Sequence, residues 1–124
     1  MLRCVLAFVL ALAATLPVQA QRVFQPSALR GELVVTQPPE ALLNGKPVRL
    51  APGARIRNPL NMLQLSGSLL GQKLAVNYSL DPAGELRDVW ILTEAERAKK
   101  PWPTTPEQAQ AWVFDSTMQR WSKP

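Results

Sequence analysis

A small, mainly β protein is what this sequence predicts: an antiparallel barrel, closed or half-closed, followed by a short C-terminal helical appendage. Three observations predict it. Short runs of alternating or apolar residues recur at close spacing between Leu29 and Leu92. Tight-turn signals, Asn44-Gly45 and Asp81-Pro82-Ala83-Gly84 among them, stand between those runs. Helix-start signatures appear after Leu92. Short strands joined by turns and followed by helices favour a barrel, and closure removes the sheet edges that invite aggregation.

The elements follow in order. Gln21 to Leu29 has little periodicity and reads as an extended lead-in broken at Pro26. Leu29 to Gln37 is the first strand, with Leu33 and Val35 on one face and Pro38-Pro39 as its stop. In ALLNGKPVRL the Asn44-Gly45 pair lies between two apolar runs. A type I′ hairpin turn needs positive φ at both central residues, which these two supply best. Pro47 belongs at an edge or at the start of its strand, because it has no N–H to donate. Ala51-Pro52-Gly53 reads as a turn, Arg55-Ile56-Arg57 as a short strand, and Met62 to Leu65 as a further extended segment after Asn58-Pro59. Ser68-Leu69-Leu70, between Gly67 and Gly71, fits a short helical turn or a bent loop. Lys73 to Leu80 alternates most clearly, and Leu86 to Leu92 returns antiparallel to it around the Asp81–Gly84 turn.

After this the character changes. Thr93 with Glu96 forms a capping box, acids lead and bases close the segment, and a short helix before Pro101 follows. Thr105-Pro106 starts a second helix that should reach about Trp112. The tail around Asp115-Ser116 reads as an extended turn-and-return. Three of the four tryptophans, Trp102, Trp112 and Trp121, lie in this appendage, with Trp90 in the last barrel strand. Such aromatics suit either a sugar-binding face or docking of the appendage, and their concentration in the appendage favours docking.

The N-terminus is laid out like a secretory signal peptide. Arg3 supplies the charge, Cys4 to Leu16 is a run of thirteen apolar or small residues, and Pro17 and Ala20 precede Gln21. A membrane span needs about 20 residues, so this run is too short for one. The expected organisation is a signal peptide over 1–20, a barrel domain over 21–93 and an appendage over 94–124 packed on the barrel. The expected location is the periplasm or outside the cell.

The composition narrows the chemistry. The chain has no histidine and a single cysteine, Cys4, which cleavage removes, so the mature chain has neither the usual general base nor a thiolate. The serines have no activating partner and no Ser-x-x-Lys is present. Asp81, Glu85 and Asp88 are the one carboxylate cluster that suits acid and base work in a hydrolase, but Asp81 is equally a turn former. The reading is that of a protein that is not an enzyme and has no metal or other cofactor. The net charge is +5, a mild attraction to anionic surfaces. Lys46, Arg49, Arg55 and Arg57 are the candidate binding residues. Arg55 and Arg57, two apart on a strand, share a face on which an anionic envelope polymer could lie. Nucleic acid is disfavoured, since no aromatics that would stack bases interleave with these residues. Asn77-Tyr78-Ser79 matches a glycosylation acceptor, but it falls within an alternating strand.

The succession GELVV, LLNGKPVRLAPGARIR, LSGSLLGQKLAVNY and DPAGELRDVWILT resembles small, uncharacterised exported proteins of Gram-negative bacteria with an OB-like barrel. The resemblance covers Leu29 to Thr93 and implies a periplasmic location and a barrel. It implies no activity and no site residue. The leading expectation is a soluble periplasmic or secreted binding module for an envelope protein or anionic polymer.

The signal peptide yields a first prediction: the precursor is cut between Ala20 and Gln21 and released without lipid. N-terminal sequencing of the exported protein should begin at Gln21. Retention of Met1, or a lipid on Cys4, would refute it.

Overall fold

The computed structural model describes residues 22–124. The expected signal peptide and its cleavage site lie outside the described residues. Alternation from Leu29 to Gln37 builds β1, whose Leu33 and Val35 side chains are fully buried. β1 pairs antiparallel with β2 (Glu40–Leu43), and β2 with β3 (Lys46–Arg57). Between β2 and β3, Asn44 and Gly45 have φ of 54° and 78°, the type I′ geometry. Asn44 Oδ1 accepts the Glu32 N–H at 2.9 Å, which ties this turn to β1.

β4 (Leu74–Leu80) and β5 (Leu86–Ile91) form the second antiparallel hairpin. Asp81 shapes its turn, its Oδ1 accepting the N–H groups of Ala83 and Glu85, each at 2.9 Å. The sheet closes in the order β1-β2-β3-β5-β4, with β4 returning antiparallel to β1 and β5 parallel to β3. This is a mainly β, closed five-stranded, OB-like barrel. Among the described residues no helix is long and apolar enough to cross a membrane.

One local expectation is revised and two are refined. Ala51-Pro52-Gly53 does not end a strand: β3 continues to Arg57, and its register with β5 jumps from Leu50↔Leu86 to Arg55↔Asp88. The segment Met62 to Leu65 joins no named strand; Leu63 alone of it bridges Arg57, because the chain turns back on β3 directly after it. A single 3-10 turn, Ser66–Leu69, then buries Leu69. The second helix ends one residue early, since Trp112 has the extended backbone φ −91°, ψ 161° that leads into the next strand.

Two apolar clusters organise the molecule. The inner one fills the barrel with Leu29, Leu33, Val35, Ile56, Val76, Leu86 and Val89 among others. Burying each such side chain fully is worth about 1.5–3 kcal/mol. The outer cluster joins the lead-in residues Phe24 and Ala28 to Leu92, Trp102 and Trp121, with Ala75, Trp90 and Phe114 packed against them. Ala75 and Trp90 belong to the outer faces of β4 and β5, so the C-terminal segment covers that side of the barrel. This segment holds α1 (Glu94–Arg97), α2 (Pro106–Ala111) and a small hairpin of β6 (Val113–Asp115) and β7 (Arg120–Ser122). Phe24 meets Trp90 and Trp102 edge to face, with ring centroids 5.5 and 5.8 Å apart, a favoured aromatic geometry. The buried Gln119 clasps the lead-in, its Oε1 accepting the Phe24 N–H at 2.7 Å.

Most polar groups at this junction find partners within the fold. Arg30 lies over Trp102 at 4.8 Å and donates to Asn77 Oδ1, Lys99 O and Glu96 O. Burial pulls its pKa down to about 10, against the opposing pull of the Glu96 charge, so it stays cationic at neutral pH. Asn77 is wholly buried, which closes the Asn77-Tyr78-Ser79 acceptor site. Asn77 Nδ2 and Trp121 Nε1 are buried without a partner; we have no physical account of why both orphans are kept.

Arg22 and Glu96 form a buried ion pair, each side chain 9 % exposed. Arg22 Nε donates to Glu96 Oε2 at 3.0 Å, and its other nitrogens reach Glu96 Oε1, Asn58 O and Ile91 O. Glu96 in turn completes the capping box, its Oε1 accepting the Thr93 N–H at 2.9 Å. Burial pushes the Glu96 carboxyl up, but hydrogen bonds from Arg22 and Thr93 and the Arg22 charge outweigh it and hold the carboxyl below its ordinary range. A folded-state pKa below the unfolded one means that the pair's stabilisation is complete above the unfolded value of about 4.3. It is lost as pH falls through the depressed folded value.

Two predictions follow from this geometry. Gly45→Val should destabilise the protein by more than about 1 kcal/mol in urea titration, because a β-branched residue is strained at positive φ. A Cβ there meets nothing within 4 Å, so the loss would be purely backbone strain, and an unchanged midpoint would count against it. Arg22→Ala should cost about 3–5 kcal/mol at neutral pH by leaving Glu96 buried without its partner. Stability of the wild type should drop more steeply on acidification than that of Glu96→Gln; parallel pH profiles would show that the pair contributes no linkage.

Candidate functional site

The β2–β3 hairpin has unequal arms, four residues against twelve. The short arm ends at Glu40↔Arg49, and Leu50 N donates to Pro39 O at 2.8 Å. Beyond that point β3 has lost its partner on this side until Ile56, whose carbonyl accepts the Gln64 N–H at 2.8 Å. Toward β5 the register jump spans the same residues. Ala51, Pro52, Gly53 and Ala54 therefore have no cross-strand partner among the described residues. Pro52 and Gly53, the latter at φ 77°, lift the backbone outward as a bulge.

A groove of about 590 Å³ runs over this bulge. It is lined by the buried Leu50 and Ile56 of β3, by Pro38 and Pro39, by Leu65 and Ser66, and by Glu85 after the β4–β5 turn. The volume falls within the usual range of ligand sites. Its position, on β3 between the β1–β2 and β4–β5 turns, is where barrels of this architecture present ligand-binding surface.

The four basic residues singled out in the sequence do not share one surface. Arg49, Arg55 and Arg57 alternate outward, whereas Lys46 has the parity of Val48 and Leu50 at the hairpin end of the strand. Arg49 lines the groove and its Nε lies 3.5 Å from Glu40 Oε1, a solvent-exposed pair that contributes little to stability. Arg57 is half-buried, with Nη1 3.8 Å from Asp88 Oδ1. Arg55 is exposed and makes no ion pair among the described residues. With Arg49 facing Glu40 and Glu85 at the far end, the groove itself is close to neutral.

The carboxylate cluster is spread over structural tasks. Asp81 spends Oδ1 on two backbone N–H groups of its turn. Asp88 Oδ2 accepts from Ser79 Oγ at 3.2 Å and lies 3.4 Å from Arg87 Nε. Only Glu85 of the three faces the groove. Among the described residues no group of three or more acidic residues or other ligating side chains is placed to hold a metal ion.

No family model, curated protein or solved structure matches this chain. The site was missed in the sequence because its walls come from four separate segments, and Gln64 to Ser66 carries no motif. The one local signal was Ala51-Pro52-Gly53, read as a turn between strands, which marks the bulge inside β3.

Proposed function

We propose that this protein is an exported interaction module that holds an extended peptide segment of a partner protein in the β3 groove. The observation that carries this reading is the stretch Ala51 to Ala54, which has no cross-strand register partner among the described residues and lines a partly apolar groove. Main-chain N–H and C=O groups without strand partners are satisfied by an added strand, and alternate side chains of that strand then enter pockets. Here Leu50, Ile56, Leu65 and the Pro38-Pro39 wall offer the apolar contacts. The oppositely charged Arg49 and Glu85 suit a dipolar backbone better than a polyanion. Export rests on the signal-like layout of residues 1–20.

An anionic envelope polymer is the second reading, favoured by the exposed and unpaired Arg55 beside Arg57. The hydrolase alternative gains no supporting geometry, since Asp81 and Asp88 are engaged as described.

Screening the processed protein against an array of extended peptides tests the proposal. The best binder is expected to slow amide hydrogen exchange at Gly53 and Ala54, and Ala51→Trp, which fills the groove, should weaken it about tenfold. Peptide binding that leaves these amides unprotected would overturn the groove assignment. Salt-sensitive binding of polyphosphate that depends on Arg55, with no peptide bound, would favour the second reading instead.

A further inference from the structure

Asn58 begins a tight return that holds apolar side chains in water. Its Oδ1 accepts the N–H groups of Leu60 at 2.9 Å and Met62 at 3.0 Å, and its own N–H donates to Met62 O at 2.8 Å. Leu63 then bridges Arg57. On this frame Leu60, Met62, Leu63 and Leu65 are 68, 56, 69 and 82 % exposed. Single exposed leucines need no explanation, but four large apolar residues within six positions, fixed outward by a hydrogen-bonded turn, form an interaction ridge.

Charge indicates what the ridge meets. No acidic residue occurs between Glu40 and Asp81, while Lys46, Arg49, Arg55, Arg57 and Lys73 do. Elsewhere nine basic residues balance nine acidic ones, so the whole net charge of +5 comes from the stretch that bears the ridge. Arg49 and Arg57 have acidic neighbours from other strands, Glu40 and Asp88, but Lys46, Arg55 and Lys73 make no ion pair among the described residues. Arg57 stands opposite Leu63, and Arg55 immediately precedes Ile56, which holds Gln64.

We propose that the ridge is a membrane-docking surface. Leu60, Met62, Leu63 and Leu65 enter the interface of an anionic bilayer while Arg55 and Arg57 meet lipid phosphates. Burial of apolar side chains and attraction to anionic lipid act together in such docking. It goes beyond the peptide reading: Leu65 is shared with the groove, but Leu60, Met62 and Leu63 lie outside it.

The test uses the full chain, with Cys4→Ser, and its processed form, each carrying Leu63→Cys labelled with an environment-sensitive dye. Vesicles of phosphatidylcholine are compared with vesicles containing roughly 30 mol % phosphatidylglycerol, which should bind about tenfold better at low salt. The dye at position 63 should shift to the blue on binding, whereas dye on Gln110→Cys, exposed on α2, should not. In dye-free protein, Leu60→Asp with Leu63→Asp should lower binding of the processed form about tenfold with an unchanged circular dichroism spectrum. Binding without a dye response at position 63, or binding indifferent to the double substitution, overturns the proposal. So does an absence of vesicle binding together with a dimer that the double substitution dissolves, which would make the ridge a contact between two copies.

Discussion

Closure of the sheet between β1 and β4 is the constraint on which the rest of the structure depends. Once Leu29 to Leu33 pairs with Leu74 to Tyr78, every barrel strand has a neighbour on each side, and no strand can shed excess length at an edge. β3 is the longest strand, and its partners do not match it. The surplus must leave the sheet locally, and it does so at Ala51 to Ala54, where a proline and a glycine tolerate the detour. The groove is thus the place where a closed barrel accommodates a strand too long for its neighbours.

Closure also divides the surface. The β4–β5 side shows apolar residues outward, Ala75 and Trp90, and needs the lead-in and the C-terminal segment to cover them. Burying Arg22 and Glu96 there is tolerable because each ion keeps several further hydrogen bonds, without which two desolvated charges would cost more than their attraction returns. Among the described residues the β3 side has no such cover. Its bulge, its unpaired arginine and its leucine ridge stay accessible because the lead-in and the C-terminal segment lie over the β4–β5 side.

The strands were legible wherever local chemistry dominates. Leu29 to Gln37 alternates over its whole length, Asn44-Gly45 admits little besides a type I′ turn, and Thr93 with Glu96 spells its own cap. What could not be read was set by partners remote in sequence. Nothing local shows that β3 and β5 run parallel, since that follows from closure of the complete sheet. Arg22 and Phe24 sit in a lead-in without periodicity, and only contacts 36 to 95 positions away give them structural roles. The basic residues were legible as a group but not as a surface, because the register jump and the acids of neighbouring strands decide which charges remain unpaired. The leucines of the β3–β4 connection read only as a further extended segment, and the Asn58 turn reveals that they point into water.

The clasp between Gln119 and Phe24 bears on how the chain acquires its structure in time. The stretch that ends at Ile91 possesses every barrel strand, yet Phe24 must wait for Gln119, in the turn between β6 and β7. The barrel strands can consequently pair before the outer cluster is complete, with Trp90 and Phe24 still wet until Trp102, Phe114 and Trp121 dock. The chain then sets in two layers, a sealed barrel and a cap that fastens the lead-in to the C-terminal hairpin.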